Sequence, residues 1–520
     1  MMTTLVDLLE DAAGRYGERP ALSAHRGLRD RTWSYQRLWR SAAGIARHLR
    51  RGLGLDPGTT VVVWAPNSPE LVATYFGVMM ARLILVPIDA TATPDFVVRV
   101  AETTHAGLVV SAFPISADVS ARHVSVWDLP FETGGAPPDD RPSAEDVVEV
   151  VFTSGTTGTP KGVILTHGNI VANVRSALQL VPNRSLRLVS LLPLSHMLEQ
   201  TVGLFGPLVL GSTIAYPTSR RAPVLLKTMR RHAVTSMVLV PQVLELMAHE
   251  MERELFRRGK TSQWNRAHRL AAHLPMWLRR MLFGRIHRGL GGHLDYVMCG
   301  GAHLSAELAE MWERMGVRVV EGYGATECAP IVAANTYQDR RPGTVGRPVP
   351  DVAVRLSDDD EVMVKGPNVS PGYWENAAAT ARGFDTDGWY HTGDLGEWDG
   401  EGRLRLTGRL ADRIVLASGL NVYPDDVERA LCDEPEIDGC VVVSLPNRAG
   451  NASVHAVIIP GAEAAAGGDA GIAEAVRRAG ARLAAHQRVT GITIWPDDDF
   501  PRTNLLKVKR HEVVAALRAD

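Results

Sequence analysis

Residues 151–163 read Val-Phe-Thr-Ser-Gly-Thr-Thr-Gly-Thr-Pro-Lys-Gly-Val, directly after the apolar run Val147–Val151. The apolar β-branched run is a strand signal, and the Gly/Ser/Thr-rich stretch after it is a loop signal. That loop suits polyphosphate. Gly155 and Gly158 let backbone N–H groups approach phosphate oxygens, and the hydroxyls of Thr153, Ser154, Thr156 and Thr157 add donors. Lys161 brings a point charge, and Pro160 limits the loop's freedom. A Walker A loop requires GxxxxGK[ST]; here Pro160 precedes the lysine and Gly162 follows it, so this is a different nucleotide loop.

Working outward, the short apolar runs Thr60–Trp64, Leu108–Ser111, Met237–Val240 and Val317–Val320 alternate with helical patterns, which predicts an α/β body. The most apolar stretch, Leu71–Ile88, is broken by Arg82 and Pro87. It falls short of the roughly 20 residues that span a bilayer, so a buried helix running into a strand is expected. Met1–Arg15 carries Asp7, Glu10 and Asp11 among apolar residues, the pattern of an amphipathic helix and not of a signal peptide, so no export is implied. After about Leu406 the texture shortens: helix Pro424–Cys432, strands Cys440–Leu445 and Val454–Ile459, and an Ala/Gly-rich loop over Gly461–Gly471. The expected division is a large multi-subdomain α/β N-terminal domain over 1–408 and a smaller α+β C-terminal domain over 409–520.

A chain of 520 residues with 45% apolar content exceeds one ordinary core. Its 56 basic and 58 acidic side chains nearly cancel, which argues against a general nucleic-acid binder. Cys299, Cys328, Cys432 and Cys440 lack CxxC spacing, so neither a disulfide framework nor a zinc site is suggested, and the cytoplasm fits best. Residues 250–288 form a helical stretch rich in arginine interleaved with Leu, Met, Phe and Trp. That stretch suits peripheral contact with an anionic membrane face, and equally suits a solvated helical surface packed on the body.

Further motifs follow in order: Pro193-Leu194-Ser195-His196, Cys299-Gly300-Gly301-Ala302, Glu321-Gly322-Tyr323-Gly324-Ala325-Thr326-Glu327, Trp389-Tyr390-His391-Thr392-Gly393-Asp394, Gly408-Arg409-Leu410-Ala411-Asp412, and Pro501 through Arg510. With the loop at 153–161 they resemble the adenylate-forming superfamily, which holds acyl-CoA synthetases, firefly-type luciferases and peptide-synthetase adenylation domains. The resemblance implies an ATP-dependent acid:CoA ligase that forms an acyl-adenylate and then a thioester, releasing pyrophosphate and AMP. It implies that His196 borders the substrate carboxylate and that Gly300, Gly301, Ala302, Glu321, Gly322, Tyr323 and Gly324 line the adenine pocket, with Tyr323 stacking. Thr326 would touch phosphate and Glu327 would bind Mg²⁺; Asp394 would accept from the ribose hydroxyls, with Arg409 at the ribose or phosphate. Ala411 takes the hinge position, Ser418, Gly419 and Asn421 face coenzyme A, and Lys507 is the adenylation lysine.

Three departures stand out. Ala411 replaces the usual aspartate or lysine at the hinge, Leu506 replaces the glycine before the lysine, and the segment Arg409–Pro424 is one residue longer than the commonest form. His268-Arg269-Leu270 through Leu282-Phe283-Gly284-Arg285, then Leu290-Gly291-Gly292 and Gly300-Gly301-Ala302, resemble bacterial long-chain fatty acyl-CoA synthetases. The alternatives are a fatty acyl-AMP ligase delivering to an acyl carrier protein and a catalytically silent nucleotide-binding regulator.

Overall fold

The computed structural model describes residues 2–26, 29–115, 121–131, 136–153, 161–417, 420–446, 451–461, 464, 468–502 and 508–519. Ser154–Gly158, Ser418, Gly419 and Lys507 lie outside the described residues. By internal packing the chain divides into unit 1, residues 1–354 and 364–390, and unit 2, residues 355–363 and 391–520. The position 408/409 falls inside unit 2, within the strand Leu404–Arg409.

In unit 1 the apolar runs become strands of two sheets. A seven-stranded sheet runs in the order Gly372–Tyr373, Lys161–Thr166, Val147–Thr153, Ile84–Ile88, Thr60–Trp64, Leu108–Ser111, Arg122–Ser125. Its central strands Thr60–Trp64 and Ile84–Ile88 are buried along their whole length, as parallel strands covered on both faces must be. The second sheet has nine strands and carries Arg187–Val189, Ser236–Leu239, Tyr296–Gly300 and Arg318–Gly324 as parallel neighbours. Two ladders and the helices between them give the α/β architecture expected.

The expected helix-into-strand at Leu71–Ile88 is helix Pro69–Met80 followed by strand Ile84–Ile88. Ser68 accepts from the Leu71 N–H and Pro69 occupies the first turn, two start signals that set its beginning. All twelve of its residues are buried, the mark of a helix inside a core. The first helix starts at Leu5, later than expected, because Thr4 and Asp7 form a reciprocal capping box there. No helix among the described residues is long and apolar enough to cross a membrane.

Unit 2 packs helix Pro424–Cys432 and helix Gly468–Ala481 against a three-stranded sheet of Ile437–Pro446, Ala452–Pro460 and Gly491–Ile494. The loop expected to run to Gly471 gives way at 468 to the second of these helices. Its buried Ile472, Ala475, Val476 and Ala479 fall at helical spacing, and that pattern outweighs the glycines. Cys432 and Cys440, eight residues apart, bring their Sγ atoms to 3.4 Å and are both free thiols.

Candidate active site

The strand Val147–Thr153 is answered by Lys161–Thr166 running antiparallel, with Thr153 opposite Lys161 and Phe152 opposite Gly162. The residues that flank 154–160 are thus cross-strand neighbours. The short strand Gly372–Tyr373 adds to the outer edge, pairing Tyr373 with Val163. This pairing sets the Tyr373 ring under Lys161, whose Nζ stands 5.3 Å from the ring centroid. The Tyr373 hydroxyl donates to Glu327 Oε1 at 2.9 Å, and burial, followed by the Glu327 charge, pushes the phenol up. Lys161 and Glu327, named independently from sequence, are therefore joined through one tyrosine that sequence reasoning missed.

Glu327 sits on a one-turn helix, Thr326–Cys328, whose surroundings are tied down from three sides. The Ser370 N–H donates to the Glu327 carbonyl at 2.8 Å, and Asn368 and Asn173 donate to the Cys328 carbonyl at 2.8 and 3.3 Å. Gly324, just before, has no room for a side chain, since a Cβ would stand 1.8 Å from the Pro330 carbonyl oxygen. Gly300 and Gly322 are register partners, and Gly301 takes φ +86°, a conformation that favours glycine. Glu321 is buried, and that burial alone pushes its carboxyl up to about 8. Tyr323 is buried beside it, and Ala302 is partly exposed after the turn.

His196 ends a turn braced by Asn67, which accepts from the Leu194 N–H at 3.0 Å and donates to the Leu192 carbonyl at 2.7 Å. Leu198, two residues on, comes within 3.7 Å of a Cβ built at Gly300, so this segment and the glycine turn are neighbours. A recess of about 170 Å³ opens beside the turn, at the carboxyl ends of strands from both sheets, with Asn67, Asp89, Ser190, Ser195, Tyr216 and Arg220 in its wall. Behind the turn, Ser190 Oγ donates to Glu199 Oε1 at 2.5 Å. Burial pushes the Glu199 carboxyl up to about 8.

Glu149, mid-way along the strand Val147–Thr153, is fully buried and accepts from Gln200 Nε2 at 3.0 Å. Burial pushes it up to about 8, with Gln200 opposing. A carboxyl raised in the folded state binds its proton more tightly there than in the unfolded chain. Its stabilising effect is complete below the unfolded value near 4.5 and is lost as pH rises toward about 8. Glu199 and Glu321 carry the same sign. Glu149→Gln is expected to flatten the fall of Tm across this window by about one third and to raise stability at the alkaline end, on the order of 1–4 kcal/mol. A variant whose Tm against pH keeps the slope of the parent would refute the protonated carboxyl.

In unit 2, Asp394 and Arg409 face each other across the hairpin Tyr390–Trp398 and Leu404–Arg409, with Nε to Oδ1 at 3.0 Å. Ala411 lies in the single turn Leu410–Asp412. Asn421 pairs with Val415, so the chain before Ser418 and the chain after Gly419 are cross-strand neighbours. The segment holding Lys507 is also closed at its neck, by the Arg502–Val508 bridge and by the Lys509 N–H donating to Pro501 at 2.8 Å. Beyond it, Arg510 is clasped by acids that sequence reasoning did not single out. Its guanidinium meets Asp425 at 2.8 Å, Glu428, and Asp412 at 3.5 Å, and donates to the Val442 carbonyl at 2.9 Å.

The donor set can be tested against the groups expected. Mg²⁺ takes one or two protein carboxylates and fills its octahedron with phosphate and water oxygens. Glu327 is a single, partly exposed carboxylate beside Lys161, and no group of three His, Cys, Asp or Glu side chains among the described residues could hold an ion unaided. That set fits Mg²⁺ carried with a nucleotide. Glycine turns, a buried tyrosine and a lysine at the base of a Gly/Ser/Thr loop fit the nucleotide itself. The family model described as "AMP-binding enzyme" matches residues 9–374, most of the chain.

The chain belongs to the AMP-binding enzyme family. This AMP-binding enzyme is 31% identical over 434 residues to the long-chain-fatty-acid–CoA ligase FadD15 of Mycobacterium bovis, spanning 75% of this chain and 72% of that one. It is 28% identical over 445 residues to a feruloyl-CoA synthase of Amycolatopsis, spanning 82% and 83%. Its fold matches that of ATP-bound MatB from Rhodopseudomonas palustris with a TM-score of 0.81 at 24% identity, covering 100% of this chain and 99% of that one. The AMP-binding enzyme is thus an ATP-dependent acyl-CoA ligase of the adenylate-forming superfamily.

Proposed function

We propose that this ligase activates long-chain fatty acids, and that the grouping of Lys161, Tyr373 and Glu327 at the mouth of the phosphate loop is its triphosphate end. Lys161 and the Thr153–Gly158 loop hold the β- and γ-phosphates, with Thr326 on phosphate and Glu327 on Mg²⁺, which would neutralise the phosphate charge. The acid's carboxylate oxygen attacks the α-phosphorus, the bond to the bridging oxygen breaks, and pyrophosphate leaves. Lys507 bridges the carboxylate and α-phosphate oxygens, His196 borders the carboxylate, and Asp394 with Arg409 holds the ribose. Coenzyme A's thiol then gives its proton to solvent, attacks the acyl carbon and expels AMP, with Ser418, Gly419 and Asn421 facing the pantetheine. Catalysis is positioning and charge neutralisation, without a protein nucleophile. The domain 409–520 turns about Ala411 between the two steps. The reading of the acid is supported by the relation to a long-chain ligase, while a feruloyl-CoA synthase nearly as similar makes aromatic acids the test case. The cytoplasm is the proposed location.

The experiment measures AMP and pyrophosphate release with acetate, ferulate and fatty acids of graded length, with and without coenzyme A. The expected outcome is acyl-CoA and AMP with the long acids only. Turnover confined to ferulate overturns the chain-length reading. Adenylate without thioester points to an acyl carrier protein as acceptor, and no turnover with any acid points to a silent regulator.

A further inference from the structure

Charge is unevenly spread in this chain. From Arg257 to Arg288 nine side chains are Lys or Arg and none is Asp or Glu, in a protein whose net formal charge is −2. The same region is where apolar surface is left open. Unit 1 leaves seven large apolar side chains exposed among the described residues, and six of them lie between Leu246 and Leu282.

The local folding explains both. Helix Thr261–Ala271 turns Trp264, His268 and Ala271 inward, where Trp264 and His268 pack with Phe283 at ring separations of 4.1 to 5.6 Å. Arg266, Arg269 and Leu270 are left on the outside. Helix Met276–Leu282 is held by two arginines that point home. Arg279 donates to the carbonyls of Leu274 at 2.7 Å and Glu313 at 3.1 Å, and Arg280 to that of Leu294 at 2.5 Å. Trp277 and Met281, one turn apart and so on one face, are 62% and 69% exposed. Phe256, at the end of helix Pro241–Arg257, is 74% exposed. Arg257 and Arg258 share Glu254, at 3.4 and 2.6 Å, whereas Lys260 and Arg285 add charge with no carboxylate on their own segments.

We propose that this face docks on an anionic lipid bilayer, with Phe256, Trp277, Met281 and Leu282 entering the headgroup boundary and Arg266, Arg269 and Arg285 on the lipid phosphates. Apolar anchors framed by basic side chains are the composition of an interfacial surface. A second copy of the chain is disfavoured, because a two-fold contact would set like charges against each other. Nucleic acid would use the arginines but has no use for exposed Leu and Met side chains. The surface gives the ligase a route to acids that partition into membranes. Its test needs no ATP, acid or coenzyme A, so it stands or falls apart from the reading of the substrate.

The full-length protein is floated with vesicles of phosphatidylcholine alone or mixed with phosphatidylglycerol, at low and high salt. Binding is expected to the mixed vesicles and to weaken with salt. Trp277→Ser with Met281→Ser is expected to lower partitioning by roughly tenfold or more, and Arg266→Glu with Arg269→Glu by roughly tenfold or more. Each pair is exposed, so melting without vesicles should match that of the parent, and either pair suffices if the other misfolds. No binding, equal binding to both vesicle types, or binding untouched by both pairs overturns the proposal. So does a dimer in sedimentation that the same substitutions dissolve while vesicles are ignored.

Discussion

Lys507→Ala is expected to slow pyrophosphate release from acid and ATP by about 10²–10³-fold, the loss typical of removing one preorganised donor from developing charge. The lysine's proposed work is confined to the first half-reaction, where a carboxylate and a phosphate, both anionic, must be brought together. In the second half a thiol meets a mixed anhydride and that repulsion is gone. Supplied with preformed acyl-adenylate and coenzyme A, the variant should therefore make thioester at close to the parent rate. The neck at Arg502, Val508 and Lys509 is built from backbone bonds that position 507 does not supply, so the change should leave the fold alone. Equal losses in both half-reactions would mean that Lys507 is structural and that the adenylation cation lies elsewhere.

Arg510→Gln is expected to destabilise unit 2 strongly, by about 3 kcal/mol, because it strands a half-buried carboxylate. Glu428 is half-buried, its side chain 19% exposed; burial raises its carboxyl and Arg510 holds it back. Without the guanidinium the carboxyl rises further. A raised acid stabilises the fold below its unfolded value and loses that contribution as pH climbs, so the deficit should be large at neutral pH and shrink toward acid. Arg510→Met combined with Glu428→Met should recover much of the loss, since removing both partners leaves no orphan charge. Calorimetry across pH reads all three variants. A constant deficit, independent of pH and of Glu428, would contradict this account. Arg510 stands three residues after Lys507 and touches Asp412, next to the proposed pivot Ala411, so adenylation should fall along with stability.

Much of the candidate site was legible because its parts are local. Backbone needs select residue types directly: Gly301 at positive φ and Gly324 against a carbonyl oxygen leave a signature that no tertiary contact can hide. Asp394 and Arg409 were each readable, but their pairing is a matter of strand register. Tyr373 escaped because Ser370-Pro371-Gly372-Tyr373 reads as a turn, and only the pairing of Gly372–Tyr373 with Val163 and Ile164 brings its hydroxyl to Glu327. The clasp on Arg510 was invisible for the same reason, its acids lying 82 to 98 positions earlier in the chain. Composition exposed the arginines of 250–288 but not their division into those spent on carbonyls and those facing outward. The packing division before His391 comes earlier than the change of texture after Leu406 because the strand Tyr390–Trp398 pairs with Leu404–Arg409, the strand that contains the texture change, and so is counted with it.

The pairing of Thr153 with Lys161 makes the lysine's address a matter of counting along two strands, independent of what joins them. Residues added or removed within 154–160 lie outside this pairing and leave the amine on the same side of the ribbon. A single residue gained or lost between Gly162 and Thr166 would turn the ammonium to the opposite face, away from Tyr373. Length can therefore change in the joining segment without moving the lysine, while the ribbon itself tolerates no slip.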